Sequence, residues 1–173
     1  MNGKTLIIIG LLSAAGYYFM KSASKPTLEY FSPVEFNIWW PFMDNKLLLG
    51  LDELRRRWGH PIEISTAVGA LGRNEGNESS WHYPRNGIVH AADIMPTIEG
   101  RGLTDEELTD IYLIARDMNV FSGIGVYPDW QPRKGLHLDT RTDRDAFTDP
   151  ALWGGVKDSN GNQVYVSIDQ VLV

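Results

Sequence analysis

The chain has 173 residues, no cysteine, a net charge of −6 and an isoelectric point near 5.1. The missing thiols exclude cysteine nucleophiles, iron–sulfur clusters and Cys-rich zinc fingers, so a metal site must be built from His, Asp and Glu. The acidic balance disfavours nucleic acid as a partner, and the length suits one globular domain that buries about 70% of its unfolded surface without disulfides.

Residues 1–25 differ from the rest. Thr5 to Met20 (TLIIIGLLSAAGYYFM) carries no charge and is flanked by Lys4 and Lys21. A bilayer span takes about 20 apolar residues, and a slightly shorter run serves when flanking lysines snorkel and Tyr17 and Tyr18 sit at the interface. The segment is expected to be a transmembrane helix that anchors the protein in a lipid bilayer. The alternatives are a signal peptide cleaved near Ser22-Ala23-Ser24, leaving a secreted protein, and a buried core helix. Lysines at both ends leave the orientation open.

Residues 26–43 read as a tether followed by an aromatic packing segment, Asn37 to Phe42 (NIWWPF), and residues 44–173 as the folded domain. Ser22 to Pro33 is expected to pack little. Asp44 caps a helix to about Trp58 with Leu47, Leu48, Leu51, Leu54 and Trp58 on one side, ended by Gly59 and Pro61. Arg55, Arg56 and Arg57 beside Asp52 and Glu53 read as a solvated face of that helix. Ile62 to Ser65 alternates as a strand, Ala67 to Asn77 is a Gly/Asn-rich loop, and Val89 to Ile94 is a short buried strand. Thr104 and Glu107 form a capping box for a second helix, with Leu108, Ile111, Tyr112, Ala115 and Met118 inward. Val120 to Tyr127 and Gly135 to Asp139 read as paired strands, and Asn160-Gly161 as a turn before a strand from Val164 to Ile168. The fold class is α+β: two principal helices packed on a small, largely antiparallel sheet.

Three histidines and several carboxylates carry the chemical interest. A catalytic zinc takes three protein ligands and keeps one open position. Asp93 ends a strand after Ala91 and Ala92, whose small side chains permit close packing. In GLHLD, strand alternation places His137 and Asp139 on one face and Leu136 and Leu138 on the other. His82 stands at the head of this region. His90 is the rival to His82 as a ligand, but it lies three residues from Asp93, and odd offsets on a strand face opposite ways. A core histidine with a hydrogen-bonded partner is the alternative for each taken singly.

The order Ser80-Trp81-His82, Gly87, Ala91-Ala92-Asp93-Ile94 and then Gly135 to Asp139 (GLHLD) resembles the zinc peptidases of the D-alanyl-D-alanine carboxypeptidase and L-alanyl-D-glutamate endopeptidase family, whose fold is shared with the Hedgehog signalling domain and VanX-type dipeptidases. Their common pattern is S-x-H-x-x-G-x-A-x-D. The longer His-to-Asp spacing here, the Met95-Pro96 pair and GIGVYPDW…GLHLDTR with a following Trp153 are similar to phage-associated members. The likeness spans about Leu47 to Val156. It implies Zn²⁺ held by His82, Asp93 and His137, and a phage- or prophage-encoded hydrolase of peptidoglycan peptides that serves wall penetration or lysis. The anchored domain would face the periplasm and cell wall or sit in a virion membrane.

Many members place a carboxylate base three residues before the last histidine, where this chain has Lys134. Asp139 and then Asp129 are the candidates to replace it, with Asp139 equally suited to orienting a ligand. Arg73 matches a substrate-carboxylate arginine of the relatives. Arg141, Ser80 and His90 are further candidate substrate contacts. The alternative function is a catalytically inactive zinc-fold module for wall binding or virion structure.

Overall fold

The computed structural model describes residues 24–173. The anchor or signal segment expected over residues 1–25 lies almost entirely outside them. No helix among the described residues is long and apolar enough to cross a membrane.

Helix α1 (Asn45–Trp58) starts where the Asp44 side chain accepts from the Lys46 N–H and ends at Gly59, whose left-handed φ of 73° few other residues adopt at low cost. Leu47, Leu48, Leu51 and Leu54 are fully buried. Each contributes about 1.5–3 kcal/mol by burial, more than any helix propensity, so packing decides this helix. Helix α2 (Asp105–Asp117) begins with the expected capping box between Thr104 and Glu107. Its inward residues Leu108, Ile111, Tyr112 and Ala115 join the same core.

Both helices cover one face of a six-stranded mixed sheet of β1 (Ile62–Ile64), β2 (Ala91–Pro96), β3 (Gly123–Tyr127), β4 (Gly135–Asp139), β5 (Ala151–Lys157) and β6 (Gln163–Val166). The order is β1-β2-β4-β3-β5-β6, and only the β3–β5 pair is parallel. Ala92, Ile94, Leu136, Leu138, Ile124 and Val126 point into the core. Strand alternation therefore turns Asp93, His137, Asp139 and Tyr127 to the opposite face.

Four expectations are corrected. Residues 24–33 are not a loose tether. Phe31 is buried, and the N–H groups of Glu29, Tyr30 and Phe31 all donate to the Asp52 carboxylate of α1. Arg55 is not simply solvated, because its guanidinium lies 4.7 Å from the Phe31 ring centroid and pairs with Glu35. The strand expected from Val89 begins at Ala91, since the Val89 N–H turns to Phe42 O and the His90 N–H to Trp81 O. The last strand stops at Val166, and Ile168 belongs to a short 3-10 turn.

Candidate metal centre

Asp93 and His137 face each other directly across the β2–β4 ladder. Asp93 is further fixed through its backbone, whose N–H donates to Ala70 O and whose carbonyl accepts from the Ser65 N–H. His82 comes from the long loop between β1 and β2. Its carbonyl accepts from the Arg73 N–H, and its own N–H donates to Ser80 Oγ. A rigid sheet thus supplies two donors and a backbone-pinned loop brings the third.

The three donor atoms form a nearly equilateral triangle. His82 Nε2 lies 3.1 Å from Asp93 Oδ1 and 3.0 Å from His137 Nδ1, and His137 Nδ1 lies 3.0 Å from Asp93 Oδ1. The outer nitrogens decide the tautomers. His82 Nδ1 sits 2.7 Å from the carbonyl oxygen of Leu71 and must donate to it. His137 Nε2 sits 2.9 Å from Asp139 Oδ2 and must donate likewise. Each neutral ring therefore presents a bare lone pair to the centre, opposite a carboxylate oxygen. One proton cannot satisfy three mutually close acceptors, whereas a divalent cation can. Zinc bonds of about 2.0–2.1 Å in tetrahedral geometry set donors about 3.3 Å apart, within a few tenths of an ångström of this triangle. Among the described residues this is a His–Asp–His group that can hold a metal ion.

The charges agree. Burial pushes the Asp93 carboxyl up, but the His82 and His137 rings outweigh it and hold the group at about 2. Burial pushes His137 down, but Asp139 and Asp93 raise it to about 9. Protonation of His137 therefore competes with metal binding, which needs the neutral ring.

Asp139 is fully buried behind His137, on the side of the ring away from the triangle. Its oxygens also accept from the backbone N–H, Nε and Nη2 of Arg141. Burial raises its pKa, and Arg141 and His137 lower it further than burial raises it. Its contacts fix the orientation of the His137 ring. Asp129 is exposed and accepts from the Lys157 N–H, away from the centre. Lys134 pairs with Asp105 at the start of α2.

The triangle forms part of the floor of an open cleft of about 510 Å³. Arg73, Ser80 and Arg141 line it. The Arg73 Nε has no partner. His90 does not reach the cleft. It sits in a separate cavity beside Asp44 and Thr140.

The opposite wall is aromatic: Tyr127, Trp130, Trp153 and Tyr165. Tyr127 and Trp130, in GIGVYPDW, and Trp153 figured in the sequence reading of the site only as parts of the resemblance, and Tyr165 not at all. A signal for the wall was present in the strand glycines Gly125, Gly135 and Gly155, which leave room for Trp153, Trp130 and Tyr127, because glycine inside a strand marks the close approach of another group.

Fold and site together define an α+β protein with a buried His–Asp–His group able to bind a metal ion. No protein-family model, curated protein or solved structure matches the chain.

Proposed function

We propose that the protein is a zinc-dependent peptidase with the Hedgehog and D-alanyl-D-alanine peptidase type of fold, acting on the stem peptides or cross-links of bacterial peptidoglycan. The observation that carries the reading is the convergence of His82 Nε2, Asp93 Oδ1 and His137 Nδ1 to 3.0–3.1 Å, with both outer ring nitrogens already committed. These are the three positions that the sequence resemblance assigns to zinc. When bound, zinc supplies Lewis acidity and makes water nucleophilic at neutral pH. Arg73 lines the cleft, and a guanidinium there suits a substrate carboxylate. Arg141 holds Asp139, which holds His137, and the aromatic wall keeps bulk water from one side of the reacting amide. A phage or prophage source and an N-terminal membrane anchor complete the proposal.

A second reading is a zinc-fold module that binds wall peptides without cutting them. It is favoured by one observation: among the described residues, Asp93 is the only carboxylate lining the cleft. A dedicated general base contributes about 10²–10⁴-fold, so even as an enzyme the protein is expected to turn over slowly.

The test is zinc analysis of the purified protein with mass spectrometry of peptidoglycan digests. The peptidase reading expects one zinc per chain, new peptide termini with wild type, and none with His82→Ala. Tight muropeptide binding without new termini would establish the binding module instead.

A further inference from the structure

The sheet face bearing the metal ligands alternates large side chains with glycines. One row across the strands holds Asp93, His137, Gly125 and Trp153. In the next, Gly135 pairs with Tyr127 and Gly155 with Tyr165, and the parallel β3–β5 register sets Tyr127 beside Gly155. A Cβ on Gly125 would lie 2.5 Å from the Trp153 ring, and one on Gly155 would collide with the Tyr127 ring. The glycines are the space into which these aromatics lean.

Tyr127 is only 6% exposed, stacked on Trp130 at a centroid distance of 4.0 Å, yet it lines the cleft together with the metal ligands. Trp153 Nε1 donates to its hydroxyl oxygen at 2.9 Å, and the Trp153 ring lies 5.2 Å from that of His137. An indole N–H can only donate, so it occupies an acceptor site on the phenol and leaves the phenol's own hydrogen to be placed elsewhere. Burial pushes the Tyr127 pKa up, so the group is a permanent neutral donor rather than a base. Tyr165, an exposed residue on edge strand β6, lines the same cleft. The Arg141 guanidinium, by contrast, is committed to Asp139.

We infer that Tyr127 donates a hydrogen bond to the carbonyl oxygen of the scissile amide as that oxygen becomes an oxyanion, with Trp153 as the positioning residue that aims the hydroxyl. This rests on the peptidase reading. In the step concerned, a water oxygen adds to the carbonyl carbon and the C=O π pair moves onto oxygen. Collapse of the tetrahedral species restores the C=O bond and breaks the C–N bond. The nitrogen takes both protons of the water, so that the products are a carboxylate and an ammonium. Tyr127 keeps its proton throughout, and the bond it offers strengthens as charge builds on the oxygen.

The experiment compares full-length wild type, Tyr127→Phe and Trp153→Phe on soluble muropeptides, with zinc content and thermal midpoint measured for each. Loss of one oxyanion donor costs about 10²–10³-fold in kcat. Tyr127→Phe is expected to lose about that much kcat at unchanged zinc content, with KM within about threefold. It should also bind a phosphinate peptide, which mimics the tetrahedral species, about as many fold more weakly than wild type. Trp153→Phe should lose kcat by a smaller factor in the same pattern. Unchanged kcat in Tyr127→Phe, or a loss explained by loss of zinc, overturns the assignment while leaving the peptidase reading intact. Absence of turnover by wild type overturns both.

Discussion

Two clusters of the same residue types lie close together around β2 and β4. In one, His82, Asp93 and His137 converge to 3.0–3.1 Å. In the other, His90 immediately precedes β2, Thr140 immediately follows β4, and Asp44 caps α1. There the Asp44 carboxylate accepts from Thr140 Oγ1 at 2.5 Å and from the Lys46 N–H, while His90 Nδ1 stands 3.6 Å off with no hydrogen bond of its own. The first cluster has its outer nitrogens pinned and its inner lone pairs aimed at one point. The second has its acid consumed by a hydroxyl and a helix cap. Direction and prior commitment of the lone pairs, rather than the presence of His and Asp, separate a metal site from a structural cluster.

The largest expected effect that tests this contrast is on metal affinity. About 10–16 kcal/mol of structural zinc binding shared among four ligands leaves roughly 2.5–4 kcal/mol for each. His137→Ala should therefore weaken zinc binding several hundredfold in a chelator competition. His90→Ala should leave it within about threefold, and an equal loss in both variants would erase the distinction.

Next is the carboxylate behind the ligand. Asp139→Asn should cost about 10–100-fold in zinc affinity, the usual effect of an outer partner. Activity assayed in saturating zinc should largely return. Failure to return would make Asp139 a direct participant in proton transfer instead of an orienting group.

The smallest effect belongs to the second cluster. Burial raises the Asp44 carboxyl, but His90 and Thr140 outweigh this and hold it at about 2, against an ordinary 3.8. A depressed carboxyl stabilises the fold above its unfolded pKa, and this contribution is lost as pH falls from about 4 towards 2. Discounted for solvent screening, it is worth about 1 kcal/mol. Lys25, Lys46, His90, Arg141, Arg144 and Asp145 are the charged or titratable groups around it. Asparagine still caps a helix, so urea midpoints of Asp44→Asn should fall below wild type at pH 7 and approach it near pH 2. A gap independent of pH would point to packing instead.

The ligand set was legible through the resemblance, since residue types alone left each histidine open to a structural role. His82, Asp93 and His137 were selected over His90, partly by strand parity, and the structure brings those three together. The two helices were legible too, since Asp44, Gly59 and the Thr104–Glu107 pair are local signals. Strand β5 was not, because ALWGGVK neither alternates nor resembles a buried β-branched run, and its pairing with β3 is parallel and non-local. The packing of residues 24–33 was hidden for a similar reason. Asp52 collects their backbone N–H groups across 21 to 23 residues of sequence, a contact that no local window contains.

The row of Asp93, His137, Gly125 and Trp153 runs across the strands, so neighbours in it are distant in the chain, Asp93 and His137 by 44 residues. The β3–β4 hairpin holds only His137 and Gly125, one donor without the other two. Contacts of such sequence separation close late in folding, and the metal has nothing with converged donors to bind until they do. Loading with metal should therefore report completed folding, and a chain stalled before β3 meets β5 should have no aromatic wall beside its ligands.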